Sequence, residues 1–139
     1  MNMKTNSVCF DLKLLQDVIE TATESLITKH HVGFFDGGCY SLAKCLNDLF
    51  GSRAQLYHIS RAEDLRDHAV VYFEEFDKYF DADGLQTKTE LFHKMKHSEL
   101  VDVKCLHPFP DIMAYTIFSD IVKIIHNSYL AGCAKESLR

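Results

Sequence analysis

The sequence predicts an α+β fold on three observations. Residues 11–29 and 40–50 carry apolar side chains at helical spacing. Residues 54–82 hold three short segments, rich in β-branched and aromatic residues and separated by polar turns, which is typical of antiparallel strands. The pair Gly37-Gly38 breaks the chain just before the second helix. With 139 residues, the chain is most simply one domain over 1–139.

The composition argues against several classes of protein. The net charge is −5 and no Lys/Arg-rich run occurs, so nucleic acid is not an expected partner. No apolar run reaches the length of a membrane span, and residues 1–10 lack the apolar region of a Sec-type signal. The 5 cysteines include no Cys-x-x-Cys pair, which argues against a disulfide framework or a zinc ribbon. We therefore expect a cytoplasmic protein, or one delivered into a host cell without a Sec signal.

The N-terminal half predicts two helices joined by an extended segment. Asp11 is placed to cap the first helix, over 11–29. Its expected buried face consists of Leu12, Leu15, Val18, Ile19, Ala22 and Leu26. Residues 30–35 are apolar and broken by glycine, which indicates an extended approach to the second helix over 40–50. Gly51 is the expected end of that helix.

The middle of the chain predicts a small antiparallel sheet. Strands are expected over 54–60, 68–73 and 78–82, with a charged loop at 61–67 and a polar turn at 74–77. Asp83-Gly84 indicates a turn after the third strand. His68 opens the second strand and Asp81 lies near the end of the third, so the two are expected to be neighbours across the hairpin.

The C-terminal part predicts helix, strand and helix. Thr87-x-x-Glu90 is a capping box that opens a helix through Leu91, Phe92 and Met95. A strand is expected over 100–106, followed by a rigid connector at 107–111 and a long helix over 112–130. The expected shared faces are Val101, Val103 and Cys105 for the strand, and Met113, Ile117, Ile121, Ile124 and Ile125 for the helix. The apolar face of this helix is expected to be core, with a partner interface as the alternative.

Cys39 is the candidate nucleophile. It lies at the start of the second helix, where unpaired N–H groups and the helix dipole favour a thiolate over a thiol. Cys45 lies about 120° away around the helix, so the two cysteines are not expected to act as a pair.

His68 and Asp81 are candidates for the two groups that a cysteine nucleophile needs. An imidazole holds the thiolate and later protonates the leaving group, and a third polar group orients the imidazole. Asp83 is the alternative orienting residue, because it faces the same side of the strand as Asp81. Asp81 is preferred because Asp83 adjoins Gly84 and has the character of a turn residue.

The order Gly-Gly-Cys on a helix, His at a strand start and Asp on the next strand resembles the papain-like and transglutaminase-like superfamily of cysteine hydrolases. The matching segments are DGGCYSLA at 36–43, HAVV at 68–71 and YFDADG at 79–84. The resemblance implies a papain-like core, with a Cys-bearing helix packed on a small antiparallel sheet and flanking helices. It also implies that Cys39 is the nucleophile, His68 the general base and acid, and Asp81 the orienting residue, with no metal or other cofactor.

The function that the resemblance implies is hydrolysis or acyl transfer at an amide bond of a protein or peptide, through a thioester. A small bacterial or phage deamidase, or a narrow-specificity protease acting on a host protein, fits the length of the chain. The alternative is a papain-like fold without activity that serves as a binding or regulatory module, for example a phage protein that inhibits a host factor.

The sequence departs from papain at the residue after the nucleophile, where Tyr40 stands in place of Trp. No upstream glutamine completes an oxyanion hole, so a hydroxyl, His30, His31 or a second backbone N–H would have to serve. The four residues His30, His31, His58 and His68 match no zinc-ligand spacing, and no metal site is expected.

Overall fold

The structure, a computed structural model, describes residues 8–34, 38–62, 67–100, 102–109 and 118–137. These residues form four helices and five strands. In chain order they are α1 (Leu12–His30), α2 (Cys39–Phe50), β1 (Ala54–Ser60), β2 (His68–Phe73), β3 (Lys78–Asp81), β4 (Gly84–Gln86), α3 (Lys88–His97), β5 (Cys105–Pro108) and α4 (Ser119–Ser137). A single 3-10 turn, Gly51–Arg53, joins α2 to β1. The predicted α+β class is confirmed.

The five strands form one sheet in the order β4-β3-β2-β1-β5, and every neighbouring pair is antiparallel. In the β1–β2 ladder Ile59 pairs with His68, and in the β2–β3 ladder Val71 pairs with Phe80. The strands predicted over 54–60, 68–73 and 78–82 are therefore confirmed, with β3 ending one residue earlier, at Asp81.

The two faces of the sheet pack against different helices. Val71 and Phe80 lie on the face that belongs to the larger apolar cluster, which also contains the buried side chains of α1, α2 and α4. Ile59 and Val70 lie on the opposite face, in a smaller cluster with Leu91 and Met95 of α3. The sheet is thus covered on both sides, by α2 on one and by α3 on the other.

The predicted helix ends agree with the observed caps. The Asp11 side chain accepts from the Leu14 N–H at 3.1 Å and caps α1. The capping box of Thr87 and Glu90 is present at the start of α3. Gly51, with a φ of 61°, ends α2 in the left-handed region that favours glycine.

Two predictions in this region are wrong in part. The turn at Asp83-Gly84 leads directly into a fourth strand, because Gly84 adopts a φ of 105° and pairs with Asp81. The strand expected over 100–106 is replaced by irregular chain at 102–104, and pairing with β1 begins only at Cys105. The exposed Leu100 adopts a φ of 59°, which no extended strand allows. Val101 lies outside the described residues.

The C-terminal elements also differ from expectation. The predicted connector at 107–111 is wrong at its start, because His107 and Pro108 belong to β5. Pro108 is tolerated because β5 is an edge strand. The structure describes the last helix from Ser119 to Ser137, beyond the predicted end at 130.

The buried face predicted for the last helix is confirmed where it is described. Ile121 and Ile125 are buried, and Ile124 packs partly buried against the core. Met113 and Ile117 lie outside the described residues. Of the helices in the described parts of the chain, none is both long and apolar enough to cross a membrane.

An aromatic cluster joins the sheet to the helices. The fully buried ring of Phe50, at the end of α2, lies 5.5 Å from Phe73, 5.6 Å from Tyr129 and 5.5 Å from Phe10, measured between ring centroids. These contacts join α2, β2, α4 and the segment before α1. The cluster is therefore a central part of the core.

We expect Phe50→Ala to lower the free energy of unfolding by about 3–5 kcal/mol, because it removes buried apolar surface and leaves a cavity. Urea denaturation followed by circular dichroism measures the loss. Ile27→Ala is the control: Ile27 is 53% exposed, so its loss should stay within about 0.5 kcal/mol. Equal losses in the two variants would contradict the central position of Phe50.

Candidate active site

The start of α2 is held close to the preceding segment. The Gly38 N–H donates to the Gly33 carbonyl at 3.2 Å. A Cβ on Gly38 would lie 3.1 Å from the Phe34 ring and 3.2 Å from both the Gly33 oxygen and the Leu26 side chain. Gly38 therefore permits a close approach that a larger residue would resist, and Cys39 follows it as the first residue of α2. Asp36 and Gly37 lie outside the described residues.

His68 and Asp81 meet across the β2–β3 hairpin, as predicted. The His68 Nε2 lies 2.9 Å from the Asp81 Oδ2, and both side chains are 2–3% exposed. The register explains the contact. Val71 pairs with Phe80, and both His68, three residues before Val71, and Asp81, next to Phe80, lie on the opposite face by strand alternation. The carboxylate accepts a hydrogen bond from one ring nitrogen and so fixes the orientation of the imidazole.

Interaction with the Cys39 thiol is among the causes that raise the pKa of His68, so the thiol lies beside the imidazole. Because Nε2 is bound to Asp81, the nitrogen left for the thiol is Nδ1. The structure thus brings the three predicted residues together in the order thiol, imidazole, carboxylate.

The site lies at one end of the sheet rather than on a face. Strand alternation puts His68 on the α3 side, together with Ile59 and Val70, whereas α2 packs on the other side. His68 is the first residue of β2, and β2 has a strand on each side. His68 and Cys39 therefore meet at the end of the sheet, because each is the first residue of its element, β2 and α2.

The Asp81 carboxylate has four hydrogen-bonding partners. Its Oδ2 accepts from His68 and from the Lys94 ammonium, with which it forms an ion pair. Its Oδ1 accepts from the Gln86 Nε2 and from the Asp83 N–H, each at 2.9 Å. A buried carboxylate with this many donors is fixed in both position and charge.

Asp83, the alternative orienting residue, plays a different part. Its carboxylate is exposed and lies 3.2 Å from the Lys94 Nζ, while its backbone N–H supports Asp81. It is the Asp81 carboxylate that contacts the His68 ring.

Sequence reasoning missed Lys94 and Gln86. Lys94 follows Leu91 by three residues on α3 and adjoins Met95, so it borders the face that packs on the sheet. That position was visible in the sequence once α3 was predicted. Gln86 was missed because β4 was not predicted: alternation along β4 brings it to the same side as Asp81.

The electrostatics of the site favour a charged imidazole and a charged carboxylate. Burial lowers the pKa of His68, but the hydrogen bonds to Asp81 and Cys39 outweigh burial and raise that pKa from 6.5 to about 9. Burial raises the pKa of Asp81, but the hydrogen bond and charge of His68, helped by Lys94, bring that pKa below its usual value of 3.8. At neutral pH, His68 is therefore an imidazolium and Asp81 a carboxylate.

The other candidates from the sequence lie apart from this arrangement. Cys45 is buried, its Sγ lies 3.7 Å from the Val122 carbonyl, and burial raises its pKa to about 12. His30 contacts Asp120 at 3.2 Å, and His31 is exposed. In the part of the chain that the structure describes, no group of three or more His, Cys, Asp or Glu side chains is placed to hold a metal ion.

The helix start offers a place for negative charge. Leu42 donates the first backbone hydrogen bond of α2, to the Gly38 carbonyl at 3.1 Å. The Cys39 N–H precedes this bond, at the positive end of the helix dipole. On the same side of the molecule, a groove of about 710 Å³ between α1 and the end of β3 is lined in part by Phe34, Ala82 and Asp83.

Comparison of the chain with protein-family models, with curated proteins and with solved structures found no match. The geometry of Cys39, His68 and Asp81 is therefore the basis for any statement about function. Their catalytic roles, and the papain-like resemblance, stay predictions.

We expect the free energy of unfolding to decrease as the pH rises from about 6.5 to about 9. The folded pKa of His68 exceeds the unfolded value of 6.5, so its contribution is complete below pH 6.5 and is lost as pH rises through about 9. The difference between 6.5 and about 9 corresponds to roughly 3 kcal/mol. Urea denaturation across this range measures the loss.

The variant Asp81→Asn is the control for this prediction. It replaces the carboxylate whose hydrogen bond with His68 does most to raise the pKa of that ring, so the decline in this pH range should become smaller. A wild-type decline no steeper than that of the variant would contradict the charged His68–Asp81 pair.

Lys94→Met should raise the pKa of both Asp81 and His68, because Lys94 shares the Asp81 Oδ2 with His68. We also expect a loss of about 1–3 kcal/mol in the free energy of unfolding, since a buried charge loses a donor. NMR titration of the His68 ring protons measures the first effect. Lys96→Met, an exposed lysine on the same helix, is the matched control. An unchanged His68 midpoint would show that the Lys94 charge is not coupled to the imidazole.

Proposed function

We propose that the protein is a cysteine-dependent hydrolase or acyl transferase that acts on an amide bond of a protein or peptide. Cys39 is the nucleophile, His68 the general base and acid, and Asp81 the orienting residue. The observation that supports this most directly is the position of the His68 ring, which lies beside the Cys39 thiol and is hydrogen-bonded to the buried Asp81 carboxylate.

The proposed reaction uses each of these groups in turn. With the thiol proton held on His68, the Cys39 sulfur attacks the amide carbon, and the carbonyl electrons move onto its oxygen, near the Cys39 N–H. The intermediate collapses as His68 donates its proton to the departing amine, which leaves a thioester on Cys39. Water then gives a proton to His68 and attacks the thioester, which releases the acid and returns the proton to the Cys39–His68 pair.

Asp81 and Lys94 support this chemistry through charge. An anionic Asp81 holds the His68 Nε2 proton and so keeps Nδ1 directed to the thiol. Lys94 offsets the charge of Asp81, so that the carboxylate is not left as an unbalanced anion in a buried position. An imidazolium beside a thiol favours the thiolate.

One feature of the architecture supports the proposed papain-like and transglutaminase-like resemblance. A helix that begins with the cysteine packs on an antiparallel sheet that carries the histidine and the aspartate. Within this class of reaction, a glutamine deamidase or a narrow-specificity protease is proposed rather than a general protease.

The burial of the site favours a second candidate function, a binding or regulatory module without catalysis. Cys39 is 7% exposed and His68 is 2% exposed. A nucleophile must reach the substrate, so an arrangement that stays this closed would serve only to hold the sheet and α2 together. The two candidates predict different thiol chemistry.

Thiol labelling with iodoacetamide from pH 5 to 9, mapped by mass spectrometry, separates the two functions. For a hydrolase, we expect Cys39 to be modified at pH 6 at least about tenfold faster than an ordinary cysteine, because the thiolate is the reactive form. His68→Ala should abolish this advantage. Cys45, whose pKa burial raises to about 12, is the internal control that should remain unmodified.

A Cys39 that stays protected across this range, or that reacts equally well without His68, would overturn the catalytic proposal and favour the binding module. If Cys39 is reactive, ammonia release from glutamine-containing peptides and cleavage of a peptide library would then distinguish deamidase from protease. Cys39→Ala should abolish either activity.

A further inference from the structure

Two cysteines that are far apart in the sequence have their sulfur atoms close together in space. The Sγ atoms of Cys9 and Cys133 are 2.9 Å apart, across 124 positions of the chain. Neither cysteine is in a disulfide bond; Cys9 is exposed and Cys133 is half-buried. A small approach of the two atoms would reach the length of a disulfide bond, about 2.05 Å.

The segment that carries Cys9 is held in place by several hydrogen bonds. The buried Tyr129 hydroxyl donates to the Cys9 carbonyl at 2.5 Å and accepts from the Asp11 N–H at 2.8 Å. On the preceding residue, the Val8 carbonyl accepts from the Arg53 guanidinium at 2.7 Å. Cys9 is therefore fixed on both sides along the backbone.

The partner cysteine is fixed by α4. Cys133 follows Tyr129 by four residues, so the two side chains lie on one face of the helix, one turn apart. Gly132 brings α4 close to α1, since a Cβ there would lie 2.7 Å from the Leu14 side chain. The proximity of the two thiols is thus imposed by the packing of α1, α4 and the segment before α1.

We propose that Cys9 and Cys133 form a redox-responsive modification site, which closes to an intramolecular disulfide on reaction with a small-molecule disulfide of the glutathione type. The Cys9 thiolate attacks one sulfur of glutathione disulfide, which breaks that bond, releases one glutathione and leaves a mixed disulfide. The Cys133 thiolate then attacks the Cys9 sulfur and releases the second glutathione. The protein loses two electrons and two protons, and one glutathione disulfide is reduced to two glutathiones.

Exposure and position assign the order of these steps. Cys9 is the more accessible thiol, so it meets the reagent, and Cys133 is already next to it to resolve the mixed disulfide. The product would tie the N-terminal segment to the C-terminal helix and close a loop of most of the chain, which restricts the unfolded state. The inference does not depend on the function proposed for Cys39.

The test incubates the full chain with glutathione disulfide, blocks the remaining thiols with N-ethylmaleimide, and maps the peptides without reduction. We expect a Cys9–Cys133 linked peptide, a protein mass lower by two hydrogens, and no mixed disulfide at Cys45 or Cys105. The thermal unfolding midpoint should rise by about 5–10 °C on oxidation and return on reduction.

Two variants make the result decisive. Cys133→Ser should stop the reaction at the first step, with a stable glutathione adduct on Cys9, whereas Cys105→Ser, at a cysteine of similar exposure, should still form the bridge. Recovery of Cys9 and Cys133 as free thiols would overturn the proposal. So would a glutathione adduct on Cys9 in the wild type, or a link between two chains.

Discussion

The buried carboxylate of Asp81 imposes the strongest constraint on this end of the molecule. An anion removed from water costs several kcal/mol unless it is paired and hydrogen-bonded. The compensating donors come from β2, the turn after β3, β4 and α3, in the form of His68, the Asp83 N–H, Gln86 and Lys94. One charge therefore couples the β3–β4 hairpin, the position of α3 and the orientation of the imidazole.

The same carboxylate sets the charge state of the site. His68 stays protonated despite its burial because its interactions with Asp81 and Cys39 raise its pKa. Lys94 supplies a second positive charge, at the same Asp81 oxygen that the His68 ring contacts. If the Cys39 thiol is ionised, two cations and two anions are present, and the buried cluster is balanced. Because the charges balance, the cluster can be buried even when the thiol is in its ionised form, which is the nucleophilic one.

Much of the fold follows from local patterns in the sequence. The three strands from 54 to 81 were predicted because runs of β-branched and aromatic residues alternate with polar turns. Such residues favour strands because their side chains pack well on the faces of a sheet. The caps of α1 and α3 were predictable because capping is a contact within a few residues. β4 was not predicted, because a strand of three residues has too short a pattern, and the bounds predicted for β5 were wrong because its pairing with β1 is decided by the tertiary structure.

The candidate site divides in the same way. The sequence by itself determined that Cys39 begins a helix and that His68 and Asp81 oppose each other on one hairpin, because glycine breaks, helical spacing and strand alternation are local properties. Only the tertiary structure decided that α2 begins where β2 begins, that Asp81 rather than Asp83 holds the imidazole, and that Lys94 completes the cluster. The physical reason is that each of these contacts joins elements whose relative placement comes from the packing of the whole sheet between its helices.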